Sequence, residues 1–349
     1  MKIEKKVMGT LNKCYCVAPL HYNNEDYVLV AAEKQDPCYL FDLKGDKVDT
    51  IWEGPGGVMS MVQVPGSNGQ FLSTHKFFSP NDSKEAKIIV CTPENSKWNV
   101  NTLVELPFVH RFDILTSNGK NYLIACALKS GHEYKNDWEH PGRIFVAELP
   151  DNLTDYNEEN QLKLEILKEG LTKNHGYTRY EENGQISCVV STDNGIFRIT
   201  PPTESCTSWN VETLTEDAGS DAALVDLNGD GIPELCALAP FHGPDIKIYE
   251  KKTGKYEVAY RYDKPAEFTH AIYGGDFGSG KAFIVGHREG ERDLLMFTFD
   301  SENKTYKYEL IDHDRGPANV LRIAGENKEI LVAANRETDE IAMYTITDI

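Results

Sequence analysis

Seven short apolar runs recur at near-regular spacing along the chain: YVLVAAEK, FLSTHK, YLIACALK, ISCVVSTD, LCALAPFH, FIVGHRE and ILVAANRE. Each follows an opening apolar run and an Asn/Gly-rich turn. Each is followed, after a polar loop, by a further run: CYLFDL, KIIVCT, RIFVAEL, IFRIT, IKIYE, LLMFTF and IAMYTI. The openings fall near Cys14, Met59, His110, His175, Asp221, His270 and Asn319, at intervals of 45, 51, 65, 46, 49 and 49 residues. Such spacing matches a four-stranded propeller blade. Helical periodicity is nearly absent, and clusters such as SNGQ, ENGQ and NGDG punctuate β-rich runs. The last unit is one strand short at Ile349, and IEKKVMGTL precedes the first complete unit. Pairing the two ends closes the ring and removes the open edges that would recruit other chains.

The reading is therefore all-β: a single seven-bladed propeller over residues 1–349, sealed by strands from both termini. Its blades are expected near 12–54, 55–107, 108–171, 172–217, 218–265, 266–314, and 315–349 with 1–11. A β-sandwich with a second β domain competes, but seven units fit without remainder. The acidic stretch between Glu148 and Leu167 is expected to be a solvated loop on the outer edge of unit three.

Acids outnumber bases 55 to 36, a formal charge of −19 that argues against nucleic acid as the main partner. MKIEKKVMGTL has no apolar stretch of signal-peptide length, and no run approaches a membrane span. Eight cysteines form no C-x-x-C pair and mostly sit in apolar runs. Reduced, buried thiols in a cytoplasmic protein are the expectation.

Residues 225–235, VDLNGDGIPEL, place oxygen donors at alternate positions. Asp226, Asn228, Asp230 and Glu234 are expected ligands, with the Ile232 carbonyl completing a shell for Ca²⁺, or Mg²⁺ second. The closing acid comes too early for an EF-hand, and a metal-free Asn-Gly/Asp-Gly hairpin is the alternative. The pattern resembles the FG-GAP or VCBS repeat of β-propeller proteins, whose loops bind calcium. Only unit five carries it whole. In the blade layout this loop joins strands one and two, so it staples a hairpin on the face opposite the expected chemistry.

Nine of the ten histidines map to that other face. Starts of innermost strands carry His110, His175, Asp221, His270 and Asn319. Loops between second and third strands add His75, His132, His140, His242 and His287, and His313 lies in the last inter-blade connection. His110, His175, Asp221 and His270 form the expected arc around the channel mouth. Imidazoles with one carboxylate suit Zn²⁺, Mn²⁺ or Fe²⁺, with His242 as an alternative to Asp221. A polar mouth without metal is the other reading. The same face collects Arg111, Lys129, Arg143, Arg288, Arg315 and Arg336 beside Tyr134, Trp138 and Tyr177, groups suited to carboxylates, enolate oxygens and sugar rings.

Propellers with histidine-bound metal at one channel mouth are similar to aldos-2-ulose dehydratase and the oligouronide lyases. That resemblance implies β-elimination next to a carbonyl or carboxylate of a sugar derivative. The metal would acidify the C–H. His132 or His287 would remove the proton. Arg111 or Arg288 would hold the enolate oxygen, and Tyr134 or His242 would protonate the leaving oxygen. His75, Lys129, His140, Tyr177, Asn319 and Arg336 are the expected substrate contacts. The substrate would be a small molecule or oligosaccharide, with neither nucleic acid nor membrane as partner; the sequence leaves the oligomeric state open. A non-catalytic binding propeller and a metal-dependent hydrolase, such as a lactonase or glycosidase, are the rival functions.

Overall fold

The computed structural model describes residues 1–95, 97–278, 280–325 and 328–347. Seven four-stranded antiparallel sheets form the blades of a propeller. Six contain consecutive strands. The seventh joins Lys2–Thr10 to the last three strands, with Lys2–Thr10 antiparallel to Glu340–Thr347. The ring is therefore closed as the terminal runs predict.

The apolar second runs are continuous because each such strand is covered on both faces by neighbouring blades. Lys120–Lys129 of blade three illustrates this: from Leu123 onward every residue is buried. The core accordingly lies between blades. One cluster joins Leu115, Ile124 and Ile144 of blade three to Cys188, Val190 and Ile199 of blade four. Another joins Val28, Val30 and Phe41 of blade one to Val332, Ile341 and Met343 of blade seven across the closure. Each such side chain contributes about 1.5–3 kcal/mol by leaving water. All eight cysteines are free, and seven are buried. Burial pushes the Cys16 and Cys126 thiols up to about 12, which keeps them unreactive.

The acidic insertion is the expected loop with its acids exposed, but it is also anchored to the body of the propeller. Leu153 and Leu162 are buried in the apolar cluster that includes Leu103 and Val104 of blade two. The Leu162 N–H donates to the Leu103 carbonyl at 2.9 Å, and Gln161 Oε1 accepts the Glu105 N–H at 2.8 Å. Two leucines among the acids are enough to dock the segment across a blade boundary.

Innermost strands determine what enters the channel. They run Cys14–Tyr22, Met61–Gln63, Val109–Ser117, Gly176–Glu182, Asp221–Val225, Thr269–Phe277 and Pro317–Gly325. Four carry a register shift in their first turn of pairing, at Tyr15, His110, His270 and Ala318. A bulge leaves one residue unpaired and re-aims its side chain. Here the bulged residue Tyr15, His110 or His270 lines a cavity at one end of the channel.

Candidate metal centre

The cavity at that end measures about 420 Å³ and is lined by Tyr15, Met59, His110, His175, His242 and His270, among others. His110, His175 and His270 are at most 3 % exposed. A shared hydrogen-bond pattern orients them. His110 Nδ1 lies 3.0 Å from the His175 carbonyl, His175 Nδ1 2.9 Å from that of Ser220, and His270 Nδ1 2.7 Å from that of Ala318. A carbonyl only accepts, so Nδ1 carries the proton in each ring and Nε2 presents a lone pair. Such a second hydrogen bond is what fixes a ligating imidazole's tautomer.

His242 arrives from a loop rather than a strand. It follows Pro240 and Phe241, its φ is 53°, and its N–H donates to Ser220 Oγ at 3.2 Å. A left-handed backbone is unfavourable for a non-glycine residue, and histidine is among the types that tolerate it. Stacking holds it there: Phe241 lies 3.9 Å away centroid to centroid and Phe268 4.2 Å.

His175, His242 and His270 offer nitrogens all within 4.8 Å of one another; among the described residues they are the one such group of three or more metal-competent His, Cys, Asp or Glu side chains. The Nε2 atoms of His175 and His242 are 3.3 Å apart. Two imidazoles bound at about 2.0–2.1 Å to one tetrahedral ion would be separated by about 3.3 Å. The donor set thus fits a divalent transition metal, and three protein ligands leave a position open. His110 packs against His175, ring centres 4.3 Å apart and planes tilted by 31°, as a fourth imidazole at the edge of the group. Tyr15, at the bulge of blade one, places its hydroxyl 2.9 Å from His270 Nε2.

Burial disfavours the imidazolium throughout. It holds His175 down at about 3 and puts His110, His242 and His270 well below the usual histidine range, with Arg111 or Arg288 and neighbouring rings adding to it. The site therefore presents neutral ligands at neutral pH, with no proton to displace on metal binding. Between pH of about 6.5 and 3 the unfolded histidines take up protons that the folded ones refuse, so stability falls as pH falls. Asp221, pushed up to about 7 mainly by burial, opposes this as one group against four. Each histidine contributes up to about 1.4 kcal/mol per pH unit. Urea unfolding from pH 7 to pH 4 is expected to show this slope, lessened by one histidine's share in His175→Gln.

The structure sorts the sequence-derived candidates. His110, His175, His270 and His242 come together. Asp221 does not join them: Ser220 supplies the carbonyl next to His175, and Asp221 lies one residue further along the strand, packed beside Gly176. Asn319 is displaced in the same way, because Ala318 holds the bulge position. A one-residue offset reverses the side of the pleat, which residue counting cannot resolve.

The other loop histidines make their contacts outside the metal-competent group. His75 Nε2 lies 2.8 Å from the Pro55 carbonyl, His132 packs edge-on against Phe108, and His140 lies 3.4 Å from Asp137. His313 lies 2.7 Å from Asp293. His287 is fully buried, with Nδ1 2.9 Å from the Glu289 carbonyl and Nε2 accepting the Asp293 N–H at 3.2 Å. Both ring nitrogens of His287 are engaged within its own loop, whereas His132 keeps a buried Nδ1 without a partner. Tyr134 is exposed and donates to Glu139. Lys129 is buried, donating to the Asp137 carbonyl under the Trp138 ring. Arg288 and Arg336 line the mouth, and both bind Glu337. Arg111, Tyr177 and Asn319 line a second cavity deeper in the channel.

Tyr15 is the residue that sequence reasoning missed. Its signal was its place beside Cys14, at the opening of unit one, the same register as His110 and His270.

In the 226–234 loop, Asn228 and Asp230 cap backbone N–H groups within the loop at 2.8 Å. Glu234 turns inward, accepting the Leu227 N–H at 2.6 Å and the Tyr306 hydroxyl at 3.2 Å. Asp226 faces Lys281 at 3.2 Å. Its three carboxylates do not gather into a metal-competent group of the kind the histidines form.

Fold and site together define a seven-bladed β-propeller with an imidazole cluster at one channel mouth. Neither a protein-family model nor a curated protein sequence matches the chain. Among solved structures it is similar to the β-propeller domain of Myceliophteria thermophila Cps50 (Swd1), with a TM-score of 0.62, 11 % identity, and coverage of 99 % of this chain and 100 % of that one. It is also similar to streptogramin B lyase, with a TM-score of 0.59, 14 % identity and coverage of 98 % and 97 %. The Dos1 propeller gives a TM-score of 0.56 at 7 % identity, covering 95 % and 78 %. At these identities the likeness shows the fold alone.

Proposed function

We propose that the chain is a metal-dependent carbon–oxygen lyase acting on a small molecule or oligosaccharide, a sugar derivative with a carbonyl or carboxylate beside the reacting carbon. The observation that carries this reading is the set of three neutral imidazoles, His175, His242 and His270, opening into a cavity large enough for a sugar ring. Streptogramin B lyase, one of the structural neighbours, is a lyase with the same fold. A divalent ion held there would polarise the substrate oxygen and acidify the adjacent C–H.

The chain's own groups then divide the proton work. His110, with Nδ1 committed to the His175 carbonyl, has Nε2 to accept the C–H proton. The carbon's electron pair forms the new double bond as the C–O bond breaks. Tyr15, held by burial up at about 12, keeps its proton at neutral pH and donates it to the departing oxygen. In this scheme His110 and Tyr15 take the roles first expected of His132, His287 and Tyr134, because these two line the cavity that the imidazole group opens into. Phe241 and Trp138 supply aromatic faces for a sugar.

The test is turnover of unsaturation-forming substrates, followed by ultraviolet absorbance. Chelation and His270→Ala are each expected to abolish the absorbance, and Tyr15→Phe to lower turnover about 10²-fold or more. Product formation without absorbance means hydrolysis, and full activity after chelation overturns the metal reading. Elemental analysis of the protein purified without added metal reports the transition ion. It also reports calcium, the ion expected from the sequence pattern of the 226–234 loop.

A further inference from the structure

Arg111 stands in the channel below the histidines, 8 % exposed, with its guanidinium carbon 6.0 Å from the Tyr15 ring centre. Its hydrogen-bond partners are neutral: the Met59 carbonyl from Nη1 and Asn319 Oδ1, 3.3 Å from Nη2. Nε is buried and has no acceptor. Among the described residues no carboxylate lies within ion-pair distance of this cation. The contrast with its neighbours is sharp. Arg179 in the same cavity binds both oxygens of Asp113, at 2.6 and 3.0 Å, and Arg288 binds Glu337. Asp113 also accepts the Tyr177 hydroxyl and the Ile114 N–H, so none of its capacity is left for Arg111. Asp221 feels the Arg111 charge but makes no ion pair with it, and burial pushes its carboxyl up. A buried cation without a counter-charge is costly, and binding an anion relieves that cost.

The cavity beside it measures about 510 Å³, and Met59 lines both this cavity and the one at the mouth. Its wall includes Val17, Met61, Phe112 and Leu321. That lining suits a carbon skeleton, and a guanidinium edge suits a planar carboxylate. We propose that this chamber binds a small organic carboxylate, its carboxyl on Arg111 and its carbon body against the apolar wall. The site does not depend on the metal at the mouth, and its test has no activity readout.

The experiment is thermal unfolding of the full chain without added metal. Sodium hexanoate and sodium acetate are titrated against sodium chloride at constant ionic strength. Hexanoate is expected to raise Tm by about 2–4 °C near saturation, with acetate acting only at higher concentration. Arg111→Met is expected to lose the response while melting no lower than the parent in chloride. Asn319→Asp places a carboxylate beside Nη2. It is expected to raise Tm and to abolish the hexanoate shift, which decides the matter where Arg111→Met does not fold. Equal shifts in chloride and hexanoate, no shift at all, or a shift that survives in either variant overturns the proposal.

Discussion

His175→Ala is expected to abolish binding of a divalent transition metal while leaving a closed propeller. Among the four clustered imidazoles His175 is the common neighbour: His110 lies 4.3 Å from it by ring centres, His242 4.9 Å and His270 5.3 Å. Its Nε2 stands 3.3 Å from that of His242, so its loss removes one ligand and the partner that aligns a second. Removing a group that merely orients a ligand costs about 10–100-fold in affinity. Losing the ligand itself is expected to exceed that. Calorimetric titration with Zn²⁺ or Mn²⁺ reads the change directly. Thermal unfolding gives an independent measure, since a metal at 100 times its Kd adds about 2.7 kcal/mol. The ring is surrounded by blade contacts that do not involve it, so the variant is expected to keep the parent's β-rich circular dichroism. Wild-type metal affinity in His175→Ala would remove the basis for the proposed centre.

Gly176→Ala is expected to destabilise the chain by about 2–3 kcal/mol and to weaken metal binding together with folding. An added Cβ would stand 2.5 Å from the Ser220 carbonyl oxygen and 2.6 Å from the Asp221 Cα. These are backbone atoms of the next blade and cannot swing aside. The same Ser220 oxygen accepts the His175 Nδ1 proton, so the clash falls on the bond that aims the ring. Gly280→Ala is the control: no heavy atom lies within 4 Å of its added Cβ. Its effect is expected within about 0.5 kcal/mol. Urea unfolding of both variants, with metal titration alongside, separates a local misplacement from loss of the fold. Equal stabilities for the two variants would contradict the close blade contact.

The repeat was the legible part of the fold, because burial on both faces makes every second strand a continuous apolar run. The shared openings of blades three, four and six also placed His110, His175 and His270 at one mouth. Legibility stopped at single-residue precision. Asp221 and Asn319 lie one step from the positions that touch the histidines. The bulges at His110 and His270, and the close approach at Gly176, are set by pairing between strands rather than by local preference. Loop histidines were assignable to a face but not to a direction. His242 turns inward under two phenylalanines, whereas His287 is consumed by the backbone of its own loop.

Sequence by itself determined the sevenfold sheet, its closure by the two termini and the gathering of imidazoles on one face, since each follows from a pattern repeated along the chain. Tertiary structure alone decided which of those imidazoles meet, that Tyr15 joins them, and that Arg111 bonds to the Met59 carbonyl and Asn319. Those outcomes depend on distances between residues tens to hundreds of positions apart. Blade-to-blade packing sets such distances to within a few tenths of an ångström, and no local pattern encodes them.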